Sequence, residues 1–316
     1  MLPKEIIRKN ILISALNWGN GHVSRCIPLI FQLLEQENKV IFAGNESQVE
    51  IIRCYIPQIK TIQHEGYPFK FGTKGNFSWD LFKAFVSLYK RFTKEKKETA
   101  KIVEQFNIDV IISDHRYGFY TNGCINIFIT HQINLPVRWY EKPIQIFHKK
   151  MLKKFDLIWI PDTKNAKYSG RLSLNKKGLN THYIGTLSRF SIYKEIFEKD
   201  LDKVVIVSGP LNLAQLYLKN ELTKIALDSK ESVVVLPKAL NYLISKDLPI
   251  ICINNWNDAD RYILRAKKII ARSGYSTIMD VSQLNCDAEL SATPGQREQV
   301  YLLRLWNKNL CQNTIM

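Results

Sequence analysis

Short runs of aliphatic and β-branched residues, each followed by a longer amphipathic stretch, recur along this chain and narrow its fold more than any other feature. The runs ILISAL, KVIFAG, DVIISD, INIFIT and DLIWIP are too short for core helices and too uniformly apolar for half-exposed strands. After the first two come VSRCIPLIFQLLEQE and ESQVEIIRCYI, which read as amphipathic helices. A strand buried on both faces and followed by a crossover helix is the unit of a parallel sheet. The pattern restarts at KVVIVSG, with LNLAQLYLKNELTKIAL after it and then SVVVLP, PIICIN, KKIIAR and DAELSA. Two α/β domains in tandem are expected, 1–190 and 191–316, joined within the polar segment IGTLSRFSIYKEIFEKDLDK at 184–203. With 316 residues the chain is long enough for two cores, and one large α/β domain is the plainer alternative.

The basic start MLPKEIIRKN leads only into ILISAL, too brief for the apolar region of a signal or for a membrane span, so a cytoplasmic protein is expected. Six cysteines lie far apart, which fits reduced structural thiols and gives no metal-binding spacing. The formal charge of +16, from 45 Lys and Arg against 29 Asp and Glu, draws such a protein toward phosphates, nucleic acid or anionic lipid. Recognition motifs for nucleic acid are absent from the sequence, so no nucleic-acid partner is expected. Basic residues concentrate in KAFVSLYKRFTKEKKETAKI (83–102) and IFHKKMLKKF (146–155), interleaved with aromatic and aliphatic residues at helical spacing. Solvated helix faces are the plainer reading. The sharper one is peripheral docking at the inner face of an anionic membrane, which would make a lipid-linked acceptor reasonable.

Chemistry-bearing residues gather where strands end. In NWGNGHVSR, Gly19, Asn20 and Gly21 form a turn after the first strand and His22 opens a helix. A ligand could approach the main chain there, although a tight turn without a ligand needs the same residues. VSGPLNLAQ repeats the arrangement in the second half, with Gly209 and Pro210 in the turn. IIARSGYSTIMD is more informative. Arg272, Ser273 and Gly274 leave a strand, and Tyr275, Ser276 and Thr277 supply the first amides of a helix, which suit a phosphate. Asp280, about one and a half turns on, could accept two hydrogen bonds from a ribose diol or simply favour the helix dipole. In ATPGQREQVYLL, Glu298 and Gln299 stand at another helix mouth, placed for sugar hydroxyls or for capping.

Taken together these segments resemble the two-domain GT-B glycosyltransferases, and within them family 28, the MurG-like enzymes. RSGYSTIMD is similar to that family's Arg-Ser-Gly…Thr…acid signature, GQREQ to its sugar-holding segment, GNGHVSR to its amino-terminal glycine loop, and ITHQINLP, with His131 and Gln132, to a strand-end segment of the acceptor side. The resemblance implies two Rossmann-like domains whose parallel sheets face across a cleft. It implies inverting transfer of a hexosyl or N-acetylhexosaminyl group from a UDP-sugar to an acceptor, with no metal and no further cofactor. Arg272 to Thr277, with Gly209 and Pro210, would take the diphosphate, Asp280 the ribose, and Glu298 and Gln299 the sugar. The second domain is expected to be shorter at its end than in these relatives. Transfer also needs a base, and imidazole suits that task near neutrality. His22 is the candidate, oriented by Asp114 of IISDHRYG, as in some plant members of the wider superfamily; His115 and His131 are rivals, and any one of them could be structural. A nucleotide-sugar epimerase and a non-catalytic nucleotide-sugar binder are the competing functions.

Overall fold

In the computed structural model, residues 1–69, 77–175, 178–228 and 231–313 are described. The chain divides into two compact units whose main break lies between Arg189 and Phe190, with the short turn Gly19–Gly21 grouped with the second. In the first, β1 (Asn10–Ala15), β2 (Lys39–Gly44), β3 (Lys60–Gln63), β4 (Val110–Asp114), β5 (Ile125–Ile129), β6 (Leu157–Ile160) and β7 (Thr181–Tyr183) form one sheet. Its order is β3-β2-β1-β4-β5-β6-β7, and every neighbouring pair runs parallel. The helices of this unit are α1 (Asn20–Glu35), α2 (Glu46–Tyr55), α3 (Phe77–Phe106) and α4 (Lys142–Leu152).

The second unit has a five-stranded parallel sheet of β8 (Leu201–Ile206), β9 (Ser232–Val235), β10 (Ile250–Ile253), β11 (Ala266–Arg272) and β12 (Asp287–Ser291), in the order β10-β9-β8-β11-β12. Its helices are α5 (Leu211–Asp228), α6 (Trp256–Leu264), α7 (Tyr275–Leu284) and α8 (Arg297–Asn313). The two-residue period of a strand divides its core into two clusters. Val204, Val233 and Ile269 pack with Ile263 of α6 and Val281 of α7, while Val205, Val207 and Val234 pack with Ala214, Leu218 and Ile225 of α5.

Both strand orders reverse once, between β1 and β4 in the first sheet and between β8 and β11 in the second. In an open parallel sheet the loops that leave the carboxyl ends on either side of such a reversal part to opposite faces, and ligands bind in the crevice between them. In the first unit the register fixes what stands there: Ala15 pairs with Asp114, Asp114 pairs with Ile129, and the amide of Leu16 donates to the carbonyl of Asp114 at 2.9 Å.

The exit of β1 is braced from a distance. Asn45 caps α2 by accepting from the amide of Gln48 at 3.0 Å, and its own amide donates to Gln48 Oε1 at 3.2 Å. The other end of the Gln48 amide then donates to the carbonyls of Ala15 at 3.0 Å and Leu16 at 3.3 Å. β3 and β7, the two edge strands of the first sheet, were not expected from the sequence. With four and three residues and part-exposed side chains, they lack the apolar run that marks the inner strands. Among the described residues no helix is long and apolar enough to cross a membrane, and all six cysteines are unpaired.

Candidate active site

At the switch point of the first unit, the carboxylate of Asp114 is wholly buried among donors. His22 Nδ1 lies 2.9 Å from Oδ1. Arg25, one helical turn beyond His22 on α1 and therefore on the same face, donates Nε–H to Oδ2 at 2.5 Å and pairs through Nη2 with Oδ1. Burial alone would raise the Asp114 carboxyl, but Arg25 and His22 outweigh it and hold it well below the usual carboxylate range, so it is ionised. Before α1, Gly19 has φ +120°, a conformation that side chains resist, and so the chain can turn from β1 straight into the helix that carries His22.

His115 follows Asp114 with φ +58°, unusual for a residue other than glycine, and its ring stands edge-on to that of His22 at 5.3 Å between centroids. Its Nε2 is 3.3 Å from Thr130 Oγ1. Burial first, then the neighbouring His22 and Arg25, hold the His115 imidazole well below its ordinary range, so it stays neutral. His131 Nδ1 accepts from Arg25 Nη1 at 3.4 Å, and its Nε2 is 3.3 Å from the side chain of Gln132. The backbone carbonyl of Gln132 is 2.7 Å from His148 Nε2.

An imidazole whose Nδ1–H points at an ionised carboxylate offers Nε2 as a proton acceptor. That is the chemistry this corner can perform. His22, Asp114 and His115 also present ligand-type atoms within 4.8 Å of one another, a spacing a metal ion could use. Arg25, however, engages both Asp114 oxygens and sets a fixed positive charge beside them. The sequence reading named His22, Asp114, His131 and Gln132, which the fold brings to one corner, and missed Arg25. The available signal was its spacing of three from His22 in GNGHVSR.

In the second unit, the residues singled out by sequence follow the carboxyl ends of β8, β11 and β12, and many of their side chains hold the turns themselves. The Arg272 guanidinium stacks over the Tyr217 ring at 4.3 Å and donates to the carbonyl of Ala292 at 2.7 Å. The Ser273 hydroxyl is buried and donates to the carbonyl of Gln299 at 3.0 Å, while its amide donates to Ser291 at 2.9 Å. Gln299 Oε1 accepts from the amide of Thr293 at 2.8 Å, and its Nε2 donates to Gln296 Oε1 at 2.7 Å.

The backbone at the mouth of α7 is different. Gly274 is the N-cap residue, with φ −68° and no side-chain cap. A Cβ placed there would meet nothing closer than Thr277 Oγ1 at 3.6 Å, so neither conformation nor packing within the chain demands glycine. Tyr275, Ser276 and Thr277 follow as the first turn, whose amides have no acceptor four residues back within the helix. Asp280 is buried on the same helix, and Glu298 stands in the first turn of α8. Gly209 has φ +100° in open space, and the carbonyl of Pro210 accepts from the amides of Leu213 and Ala214, both at 2.9 Å.

No known protein-family profile matches the chain. A protein of Methanosarcina mazei named an uncharacterized glycosyltransferase is 26% identical over 314 residues, covering 92% of this chain and 81% of that protein, and one of Methanosarcina acetivorans with the same name is equally similar. Among solved structures, the spinosyn rhamnosyltransferase SpnG complexed with thymidine diphosphate superposes with a TM-score of 0.63 at 12% identity, over 93% of this chain and 84% of that one. Phytolacca americana UGT2, complexed with UDP-2fluoro-glucose and pterostilbene, gives 0.60 at 12% identity, over 95% and 84%. The curated relatives and the solved structures alike are glycosyltransferases, and the fold of this chain is theirs, GT-B.

Proposed function

We propose that this GT-B chain is a glycosyltransferase that moves a hexosyl or N-acetylhexosaminyl group from a UDP-sugar to an acceptor hydroxyl, with inversion and without a metal ion. The observation that carries this reading is the His22–Asp114 pair, an imidazole held at 2.9 Å by a buried, ionised carboxylate at the switch point of a parallel sheet. Asp114 accepts the Nδ1–H, and Nε2 receives the acceptor's hydroxyl proton as the oxygen attacks the anomeric carbon. The bond from that carbon to the diphosphate breaks on the opposite face and its electron pair leaves with the diphosphate, so the configuration inverts. In the second unit the first-turn amides of α7, with the helix dipole behind them, suit the departing anion, and the uncrowded Gly274 lets it come close. Asp280 is assigned to the ribose hydroxyls and Glu298 to the sugar, while Gln299, whose amide is engaged by Thr293 and Gln296, shapes the turn beside it.

A thermal-shift screen of UDP-, dTDP- and GDP-sugars tests the donor, since a ligand that binds only the folded protein raises its melting temperature. UDP-sugars are expected to stabilise most. The thymidine diphosphate and UDP-sugar analogue held by the two solved relatives make the first two donors the comparison of interest. Stabilisation by no nucleotide sugar would remove the reading. Calorimetry on Asp280→Ala then tests the ribose assignment, with unchanged UDP affinity as the refuting result.

The acceptor is read as lipid-linked and reached at the cytoplasmic surface of an anionic bilayer. Phe85, Val86 and Tyr89 of α3 and Ile146 of α4 are exposed, and Phe85 meets Phe147 at 5.3 Å, which joins the two helices into one apolar surface. Exposed Lys90, Lys149 and Lys150 lie on the same helices. This combination suits the headgroup region of a negatively charged membrane. Cosedimentation with vesicles containing phosphatidylglycerol, and weaker binding by the double variant Phe85→Ser, Ile146→Ser, is expected. Equal indifference to anionic and neutral vesicles would sink the lipid reading and leave the transferase reading standing.

A further inference from the structure

Arg25 is only 1% exposed, and each arm of its guanidinium meets a different part of the site. Nε reaches Asp114 Oδ2 at 2.5 Å, Nη2 pairs with Oδ1, and Nη1 reaches His131 Nδ1 at 3.4 Å. Nη2 also lies 3.0 Å from His22 Nδ1, the atom that faces Asp114 at 2.9 Å. A guanidinium can only donate and an ionised carboxylate can only accept. His22 Nδ1 therefore stands between two groups with opposite demands, since Asp114 favours a proton on it and Arg25 favours a lone pair. The fork geometry resolves the conflict. Arg25 turns its parallel N–H bonds onto the two carboxylate oxygens, and the proton of His22 stays on Nδ1.

We propose that Arg25 is a positioning residue for His22: its fork locks the rotation of Asp114 so that Oδ1 meets Nδ1, which keeps the proton of His22 on Nδ1 and leaves Nε2 bare for the acceptor. The inference rests on His22 being the base of the proposed transfer. The other titratable groups facing the pair do not replace Arg25. Cys26, 3.9 Å from Oδ2, has its thiol pushed up by burial and stays neutral, and His115 is also neutral. His131 is itself a partner of Arg25. Without the guanidinium, nothing would hold Oδ1 against Nδ1, and the Nε2-protonated tautomer, which cannot serve as a base, would gain population.

The test is the histidine tautomer state, read by NMR on ¹⁵N-histidine-labelled protein without substrate for the unaltered chain, Arg25→Lys and Arg25→Gln, together with kcat/KM of each. The unaltered protein is expected to show His22 protonated at Nδ1 and bare at Nε2. In Arg25→Gln the Nε2-protonated tautomer of His22 should become populated and kcat/KM should fall at least ~10-fold, while Arg25→Lys, which keeps the charge but not the fork, should recover part of both. A His22 proton on Nε2 in the unaltered protein, or an Arg25→Gln variant whose His22 tautomer stays in place, overturns the inference. The first observation needs no variant to fold. A displaced tautomer in Arg25→Gln, in a protein that transfers no sugar, upholds the role of Arg25 and removes the transferase reading instead.

Discussion

The turn after β1 and the turn after β11 are alike in position, each lying at the reversal of a parallel sheet, yet they spend their side chains differently. After β1 the polar groups converge on one another. Asp114, Arg25, His22 and His131 are linked by charge-assisted hydrogen bonds within a largely buried corner. After β11 the polar side chains face into the scaffold, with Ser273 on Gln299, Gln299 on Thr293 and Gln296, and Arg272 on Ala292 and Tyr217. Proton transfer needs a side chain of suitable proton affinity, whereas holding an anion needs only aligned backbone amides. The first kind of site must therefore carry its chemistry in residue identity, and the second can keep its residues for holding the main chain in shape.

Substitutions can break this contrast. His22→Ala should lower kcat by about 10²- to 10⁴-fold while nucleotide affinity, measured by calorimetry, stays put; a variant that keeps its rate removes His22 as the base. Asp114→Asn should cost turnover and also about 3–5 kcal/mol of stability in urea unfolding, because it leaves the buried Arg25 without its counter-charge. Gly274→Ala should leave the melting temperature nearly unchanged but weaken nucleotide binding about tenfold, ~1.4 kcal/mol, since the added methyl group meets space a ligand would fill. Ser273→Ala should do the reverse, lowering stability by about 1 kcal/mol with little change in affinity.

The last effect is one of pH, about as large per pH unit as that of Ser273→Ala. Burial chiefly holds the imidazole of His148 down at about 4, and burial with Arg116 and Arg91 holds that of His64 at about 3. Both histidines fold neutral and take up a proton near the usual range when unfolded. Their contribution is thus present above about pH 6.5 and is lost as pH falls toward 4 and 3, at roughly 1 kcal/mol per pH unit for each. His148→Gln should flatten this slope in the first unit; an unchanged slope would show that His148 is protonated in the folded state.

Much of the fold could be read in advance because the inner strands are unbroken apolar runs, as in ILISAL and KVVIVSG, and both faces of those strands are covered. β3 and β7 escaped because edge strands with part-exposed side chains carry no such run. In the site, His22 and Asp114 could be paired on paper since each sits at a strand exit. Arg25 escaped: its spacing of three from His22 puts it on the same helix face, but an arginine on an amphipathic helix ordinarily faces water, and only the register of β1 with β4 puts a carboxylate beneath it. The inward turn of Ser273 and Gln299 was hidden for a related reason. Hydroxyl and amide groups bind sugars and backbone equally well, and composition cannot say which partner lies nearer.

Since each sheet has its own covering helices and its own apolar interior, the peptide bond joining Arg189 to Phe190 is also a natural splice point for chimaeras. On the roles proposed above, grafting the portion after it onto a relative's front half would exchange nucleotide preference as a cassette and leave the base with its original owner.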